Sequence, residues 1–252
     1  MSSQSHQTLF DQLAQLRLSA FRNALEAQLA SPQYEALSFT DRLSLLVDTE
    51  VHQRGENRFK RRIRQAGFQQ TAFVQDIDFS TKRGLQRQQV LQLAQSIWIQ
   101  KALNLIVTGP TGAGKSYIAC ALGRAACEMD LTVRYFRLPR FFQTIKMAQV
   151  EEKYSRLIRS LQKIDLLILD DWLRDNISLS EAQSLLDILD DRYGVTSVLL
   201  ATQVPVALWH SRIPDPTLAD AILDRVVHNA HRIDLQGDSQ RKLRVDSSLS
   251  GA

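Results

Sequence analysis

The chain has 252 residues, of which 44% are hydrophobic, and this length predicts a globular protein with one large and one small domain. It has no apolar leader and no apolar run near the ~20 residues of a bilayer span, so we expect a cytoplasmic protein without membrane contacts. The net charge of +4 is mildly basic, which permits nucleic-acid binding without demonstrating it.

Residues 1–68 are predicted to form a small helical domain. Apolar side chains recur there at three- and four-residue steps, and Pro32 interrupts the pattern. A second helix is predicted to begin at Ser38, with Asp41 three residues later completing the cap. Five apolar residues of that helix form one stripe: Phe39, Leu43, Leu46, Val47 and Val51.

The end of this domain is strongly basic, because residues 54–64 hold six basic side chains and one acidic one. Such a helix face is most often only solvated surface. At this density, Lys and Arg also give a salt-sensitive, sequence-independent grip on phosphates, which favours contact with DNA. The residues predicted to bind DNA are Arg58, Lys60, Arg61, Arg62 and Arg64.

Residues 69–83 lose the helical pattern and are interpreted as a connector between domains. Two interpretations of its aromatic side chains stay open: a plain tether, or a segment that packs on a nucleotide base. From residue 84 to 98 helical spacing resumes, and the apolar run 103–107 predicts the first strand of a domain that ends at residue 236.

A phosphate-binding loop follows this strand directly. Residues 109–116 read GPTGAGKS, a full G-x-x-x-x-G-K-S pattern between a predicted strand and a predicted helix. Small residues let backbone N–H groups surround a triphosphate, while the lysine supplies charge and the serine a Mg²⁺ ligand. A chance match is the alternative, and the strand–loop–helix context disfavours it. The predicted ATP-binding residues are Gly109, Pro110, Thr111, Gly112, Ala113, Gly114, Lys115, Ser116 and Tyr117.

The rest of the domain alternates between strand and helix, which predicts a parallel, three-layer α/β sheet. Cys120 and Cys127 are seven residues apart on the helix after the loop and are expected to pack as small apolar groups. A capping box from Ser178 to Glu181 opens a later helix. Further predicted elements are strands at 131–137, 164–169, 196–201 and 231–235, and helices at 139–162 and 217–230. The basic tail, 237–252, is predicted to be disordered.

Two carboxylates end the buried strand at 164–169. Asp170 is predicted to hold Mg²⁺, and Asp171 to orient or deprotonate the attacking water. Two solvated acids at a strand end are the alternative, which the preceding phosphate loop disfavours. Thr202 and Gln203 end the next strand, and parallel sheets present ligands at that edge, so both are candidates to contact the γ-phosphate or the water.

Three stretches of the sequence carry a family resemblance: 109–116, 166–171 and, above all, 215–233. They are similar to the IstB-type ATP-binding helpers of insertion-sequence transposition. That family belongs to the AAA+ ATPases and is close to the DnaC-type helicase loaders. The resemblance extends over nearly the whole chain. It implies an ATPase that uses ATP and Mg²⁺, assembles along double-stranded DNA as a ring or helical filament, bends the DNA, and recruits or stimulates a transposase.

The resemblance also implies roles for single residues. Lys115 and Ser116 match the nucleotide and metal contacts, Asp170 and Asp171 the second acidic motif, and Gln203 stands where many relatives carry Asn. The resemblance implies that four residues take part in catalysis: Lys115, Asp171, Gln203 and Arg225.

Arg225 is placed by the resemblance where an arginine reaches into a neighbouring subunit's site. The alternative is an ordinary helix arginine paired with Asp224 or Asp220. No sizeable helical lid follows residue 236, so Arg241 is only a weak candidate for a second sensing arginine.

Two other functions are alternatives to the transposition helper. A helicase loader would use its helical domain to grip a helicase and would bind single strands, but the basic segment offers only Phe59 as a stacking platform. A metabolic kinase is disfavoured because no acceptor-substrate site is evident in the sequence.

Overall fold

The structure is a computed structural model that describes residues 2–80 and 84–237. The chain divides into two compact units, Met1–Arg61 and Arg62–Ala252. The division falls before the predicted boundary at residue 68, because the residues just after Arg61 pack into the second unit: Arg62 pairs with Asp130 at 2.5 Å, and Ala66 is buried. Arg241 and the predicted tail, apart from Gly237, lie outside the described residues.

The first unit is helical, as predicted, but it contains one more break than the sequence pattern suggested. Asp41 donates its backbone N–H to the Ser38 hydroxyl at 3.2 Å, which confirms the predicted cap. The extra break is at Arg17, where a φ of 57° reverses the chain between the first two helices. The elements are α1 (Ser2–Gln15), α2 (Ser19–Ala30), a 3₁₀ turn (Pro32–Tyr34) and α3 (Phe39–Ala66), whose last turns extend into the second unit.

The interior of this first unit is small and partly polar. Leu13 and Leu46 are buried, but the other four residues of the predicted apolar stripe on α3 are exposed. Glu50 is also buried and accepts hydrogen bonds from the Phe21 backbone N–H at 2.9 Å and from Arg54 at 2.7 Å. The Phe21 N–H lowers the pKa of this carboxyl below its ordinary value.

The second unit contains a five-stranded sheet in the order β2-β3-β4-β1-β5, with every pair parallel, which confirms the predicted fold class. Three adjacent strands, β3, β4 and β1, are almost wholly buried, as expected for a sheet covered by helices on both faces. The strands are β1 (Asn104–Thr108), β2 (Val133–Arg137), β3 (Leu166–Asp170), β4 (Ser197–Thr202) and β5 (Ala230–Asp234).

The helices of this unit follow the predicted order with two corrections. The single helix predicted over 139–162 is wrong: Glu152, at a φ of 56°, lies in a break between two shorter helices. Ser96, at 60°, likewise splits the helix predicted from residue 84 to 98. The helices are α4 (Arg87–Ala94), α5 (Ile97–Gln100), α6 (Lys115–Glu128), α7 (Leu138–Val150), α8 (Tyr154–Gln162), α9 (Leu179–Arg192) and α10 (Pro216–Val227).

Several local predictions are confirmed. Ser178 and Glu181 form a reciprocal capping box at the start of α9. Cys120 and Cys127 are buried and unbonded on α6. Within residues 2–80 and 84–237, no helix is both long enough and apolar enough to cross a bilayer.

Candidate nucleotide-binding site

The phosphate loop connects β1 to α6 and is shaped by its glycines. Gly109, Gly112 and Gly114 have φ angles of 149°, 82° and 95°, which residues with a Cβ rarely adopt. At Gly109 a Cβ would also lie 2.7 Å from the carbonyl oxygen of Leu235, so no side chain fits there. The loop therefore delivers its backbone to the N-terminus of α6, whose dipole favours an anion.

The two polar side chains of the loop's end lie in the first turn of α6. The Lys115 ammonium donates to the carbonyl oxygens of Gly109 and Pro110, at 2.9 and 2.8 Å, so it is held over the loop. Ser116 follows and is partly buried. This arrangement suits phosphate binding, because the lysine and the N-terminus of α6 lie at the same loop.

The predicted connector packs on the same helix. The Phe73 backbone N–H donates to the Tyr117 hydroxyl at 3.3 Å, and the guanidinium of Arg124 lies 4.4 Å from the centre of the Phe73 ring. The connector is therefore more than a tether, since it is fixed to the helix that starts at the phosphate loop.

Asp170 ends β3 at the same edge of the sheet as the loop. It pairs in register with Ala201 of β4, which pairs with Val107 of β1, so two strand spacings, about 10 Å, separate Asp170 from β1. The Asp170 carboxylate is buried and accepts one hydrogen bond on each oxygen, from the Tyr135 hydroxyl at 2.6 Å and from the Asp171 N–H at 2.8 Å. Each oxygen keeps a further lone pair, so the group can still take a cation.

Burial and the neighbouring Asp170 carboxylate raise the pKa of Tyr135 far above the ordinary value of a tyrosine. Its hydroxyl therefore stays protonated and serves as a permanent donor to Asp170.

Asp171 adopts a left-handed backbone conformation, with a φ of 55°, directly after β3. One of its carboxylate oxygens, Oδ2, lies 2.5 and 2.7 Å from two nitrogens of Arg137 and 3.4 Å from Arg174. The hydrogen bond to Asp171 raises the pKa of Arg137, so this arginine remains charged. The predicted water-activating group is thus engaged by two arginines.

Thr202, the last residue of β4, and Gln203, which follows it, make different contacts. The Thr202 hydroxyl donates to the Trp172 carbonyl at 2.6 Å and accepts from the Val204 N–H at 3.0 Å, so it stabilises the strand end. Gln203 is exposed, and its side-chain oxygen accepts a hydrogen bond from the Thr111 hydroxyl of the phosphate loop. The structure therefore brings Gln203 to the loop.

The ligands that this site offers suit Mg²⁺. A serine hydroxyl and a carboxylate are hard oxygen donors, and Mg²⁺ commonly takes one or two such protein ligands together with phosphate oxygens and water. In the described part of the chain, no group of three or more His, Cys, Asp or Glu side chains could hold a metal by itself. Ser116 and Asp170 are hard oxygen donors of the kind that Mg²⁺ takes together with phosphate oxygens.

Arg225 lies on α10, in a cluster of ion pairs. Its guanidinium donates to Asp190 at 2.7 Å and to Asp224 at 3.2 Å, and it lies 5.8 Å from the centre of the Tyr193 ring. The Asp190 hydrogen bond raises its pKa, so it is a stable cation. It is only partly buried, which leaves it accessible to another molecule.

The predicted DNA-binding residues differ in availability. Arg58, Lys60, Arg61 and Arg64 are exposed, although Lys60 pairs with Glu56 at 3.0 Å. Arg62 is the exception: only 16% of its side chain is exposed, and it forms an ion pair with Asp130.

A second basic stretch was not predicted from the sequence. Residues 131–163 contain eight basic side chains and two acidic ones, a larger excess of positive charge than in residues 54–64. A charge count segment by segment would have found it. Four of these residues are exposed on α7 and α8: Arg140, Lys146, Arg156 and Arg159. Tyr135 and Arg137 of β2 were also missed, because nothing in a strand pattern marks a side chain that reaches a neighbouring strand's end.

The sequence profile of the IstB-like ATP binding proteins matches residues 11–248. The chain belongs to this family. An insertion-sequence ATP-binding protein of Sinorhizobium fredii, y4pL, is 42% identical over 238 residues, which cover 94% of this chain and 97% of that protein. The insertion sequence IS21 ATP-binding protein of Pseudomonas aeruginosa is 28% identical, over 91% of this chain and 86% of its own length.

Solved AAA+ structures share the fold of this IstB-like chain. The AMPPCP-bound DnaA of Aquifex aeolicus superposes with a TM-score of 0.57 at 14% identity, and the match covers 74% of this chain but only 57% of DnaA. A DnaC helicase loader superposes with a TM-score of 0.53 at 15% identity, covering 66% of this chain and 97% of the loader. At such low identity these likenesses establish the fold alone.

Proposed function

We propose that this IstB-like protein is an ATPase that assembles on duplex DNA, bends it, and recruits or stimulates the transposase of its insertion sequence. The observation that carries the proposal is the convergence of Lys115, Asp170 and Gln203 at one edge of a parallel sheet. Ligand sites in such sheets form at the carboxyl ends of the strands. The family of the chain supplies the biological setting.

In this proposal ATP is bound by the backbone of the loop and by the Lys115 ammonium, which exchanges its carbonyl partners for phosphate oxygens. Ser116 and Asp170 would hold Mg²⁺, which when bound neutralises charge on the phosphates. Gln203 orients the attacking water, and Asp171 accepts its proton once the carboxylate is released from Arg137.

Self-assembly is proposed because Arg225 is a charged, accessible arginine that the chain does not use at its own phosphate loop. A neighbouring subunit's γ-phosphate is a suitable acceptor for such a group, since an arginine supplied from outside stabilises charge in the transition state. The oligomer would then form a ring or a helical filament whose stability depends on bound ATP.

Binding to double-stranded DNA is proposed on the basis of the two positively charged segments. The exposed arginines and lysine of α3 and the basic residues of α7 and α8 offer phosphate contacts without base readout. Repeated along an oligomer, such contacts bend DNA by backbone attraction alone.

Filter retention of a labelled duplex at several salt concentrations tests this half of the proposal. With ATP present, we expect retention that weakens steeply with salt.

Two double variants, Lys60→Glu/Arg61→Glu and Arg140→Glu/Lys146→Glu, test the two basic segments. Each should lower the magnitude of the log–log salt slope by about 1 for each phosphate that the variant no longer neutralises. Lys101→Glu, an exposed lysine outside both segments, is the control and should leave the slope unchanged. Wild-type protein that retains no duplex at low salt would refute DNA binding.

Electron microscopy tests assembly. Rings or filaments that contain DNA and appear only with ATP are expected, and particles of a single size in every condition would contradict self-assembly.

A DnaC-like helicase loader is the second candidate, and the fold shared with a DnaC loader is the observation in its favour. The two functions predict different partners. Affinity capture from an extract of cells that carry the insertion sequence should retain the transposase under our proposal and the replicative helicase under the alternative.

A further inference from the structure

The carboxylate of Asp170 is connected to the segment that follows α3 through Tyr135. The Tyr135 hydroxyl oxygen lies 2.6 Å from Asp170 Oδ2 and 2.8 Å from Gln69 Oε1. A phenol has one proton, and the charged carboxylate is the stronger acceptor, so the proton is donated to Asp170. With that proton donated to Asp170, Gln69 hydrogen-bonds the hydroxyl when its amide is turned over, so that Nε2–H takes the place of Oε1 and donates to the hydroxyl oxygen. This orientation gives one directed chain from Gln69 through Tyr135 to Asp170.

Tyr135 is well placed to fix the carboxylate. It lies on β2, is 7% exposed, and reaches a carboxylate that is 3% exposed, so water competes little with the hydrogen bond. The other oxygen of Asp170 is fixed by the Asp171 N–H. Loss of the Tyr135 hydroxyl would leave the carboxylate held by the Asp171 N–H alone.

Gln69 is tied to the last turn of α3 by a short, packed segment. Gly67 turns the chain with a φ of 69°, and the Phe68 ring then packs so closely on α6 that a Cβ at Gly123 would lie 2.7 Å from it. On α3 itself, the ion pair of Arg62 with Asp130 fixes the last turn against the end of α6. A shift of this turn therefore moves Gln69.

We propose that Tyr135 is a positioning residue for Asp170, and that Gln69 couples the last turn of α3 to the metal–nucleotide site. Phosphate contact at Arg64, which is exposed on that turn, and binding of Mg²⁺ with ATP then favour one another. By linkage the coupling is reciprocal: DNA strengthens nucleotide binding by the factor by which nucleotide strengthens DNA binding. The inference rests on the proposed function, because it uses both ligands of that function.

The first test compares Tyr135→Phe with the wild type in binding a fluorescent ATP analogue, in Mg²⁺ and in EDTA. The expected result is an affinity about two- to tenfold weaker in Mg²⁺ and unchanged in EDTA, because the missing hydrogen bond acts only through the metal ligand. Tyr154→Phe, a partly buried tyrosine of α8, is the control and should match the wild type in both buffers. An equal loss in both buffers, or no loss in either, would overturn the positioning role.

The second test measures how strongly a duplex of about 30 base pairs changes the affinity for the same analogue in Mg²⁺. Wild type should bind the analogue at least about fivefold more tightly with DNA, and Gln69→Ala should lose most of this gain. Gln69 is exposed, so the variant should fold, and Gln70→Ala is the neighbouring control. A Gln69→Ala protein with the full wild-type gain would overturn the coupling. A wild type that binds neither ligand would instead refute the proposed function itself.

Discussion

Arg137 holds a single oxygen of Asp171, through contacts of 2.5 and 2.7 Å from two of its nitrogens. Because both contacts fall on Oδ2, the arginine opposes rotation of this carboxylate. The predicted base is therefore restrained within its own subunit. Under the proposed function, the release of Arg137 is a step that would control turnover.

Arg137→Gln is expected to raise ATP turnover without DNA by about two- to fivefold, the range that follows from breaking a partly exposed ion pair. Steady-state phosphate release measures the effect. Arg134→Gln, on the same strand but outside the Asp171 ion pair, should change little. A turnover that falls in the Arg137 variant would show that the arginine assists hydrolysis rather than restraining it.

Two glycine-to-alanine variants should have opposite effects. Gly109→Ala places a methyl 2.7 Å from the Leu235 carbonyl and strains a φ of 149°, so we expect a loss of about 1–3 kcal/mol in unfolding free energy and weaker nucleotide binding. Gly55 lies inside α3, where an added Cβ would meet no atom of another segment within 4 Å. Gly55→Ala should therefore raise the unfolding free energy by about 1 kcal/mol without affecting nucleotide binding. Urea unfolding and analogue binding measure both, and a Gly109 variant that binds like the wild type would contradict the tight fit.

The two buried thiols should make stability fall at high pH. Burial raises the pKa of Cys120 and of Cys127 from 9.0 to about 11. Between these values the unfolded chain loses the thiol protons and the folded chain keeps them, so the unfolded state gains relative stability. Each thiol should contribute a loss of about 2 kcal/mol by pH 11. The double variant Cys120→Ala/Cys127→Ala isolates the effect, and parallel stability curves for the two proteins from pH 8 to 11 would contradict it.

The contribution of Arg225 to stability can be measured separately from its proposed role in catalysis. Its ion pair with Asp190 is partly exposed on both sides, so Asp190→Asn should change the unfolding free energy by less than about 1 kcal/mol. Arg225→Ala should be similarly mild in stability but should lower turnover by about 10³-fold.

Mixed subunits provide the sharper measurement for this arginine. Lys115→Ala subunits lack the lysine for nucleotide but still offer Arg225, so mixing them with Arg225→Ala subunits should restore part of the turnover. A mixture no faster than the average of its components would argue against an arginine supplied by a neighbour.

The sequence predicted those parts of the fold that depend on local patterns. The phosphate loop, the capping box at Ser178 and the parallel sheet each follow from spacing within a few residues or from the alternation of strands and helices. The break at Glu152 was missed because a non-glycine residue with positive φ has no clear signal in hydrophobic spacing.

The parts of the candidate site that the sequence did not predict are contacts between segments that are distant along the chain. The Tyr135 hydroxyl reaches Asp170 only because β2 and β3 are neighbours, and Arg137 reaches Asp171 for the same reason. Hydrophobic periodicity predicts that both segments are strands, but their adjacency and register depend on packing of the whole sheet. The exposed apolar side chains of α3 show the same limit, since a stripe does not reveal whether anything covers it.

The position of β1 determines when the phosphate loop can form. This first strand of the sheet lies between β4 and β5, which are the last two to be synthesised, and the loop it carries packs on Leu235 just after β5. Contacts so distant in sequence make folding slow. A nascent chain therefore cannot complete its nucleotide site until nearly the whole sheet domain has left the ribosome, and ATP cannot stabilise any shorter intermediate through this loop.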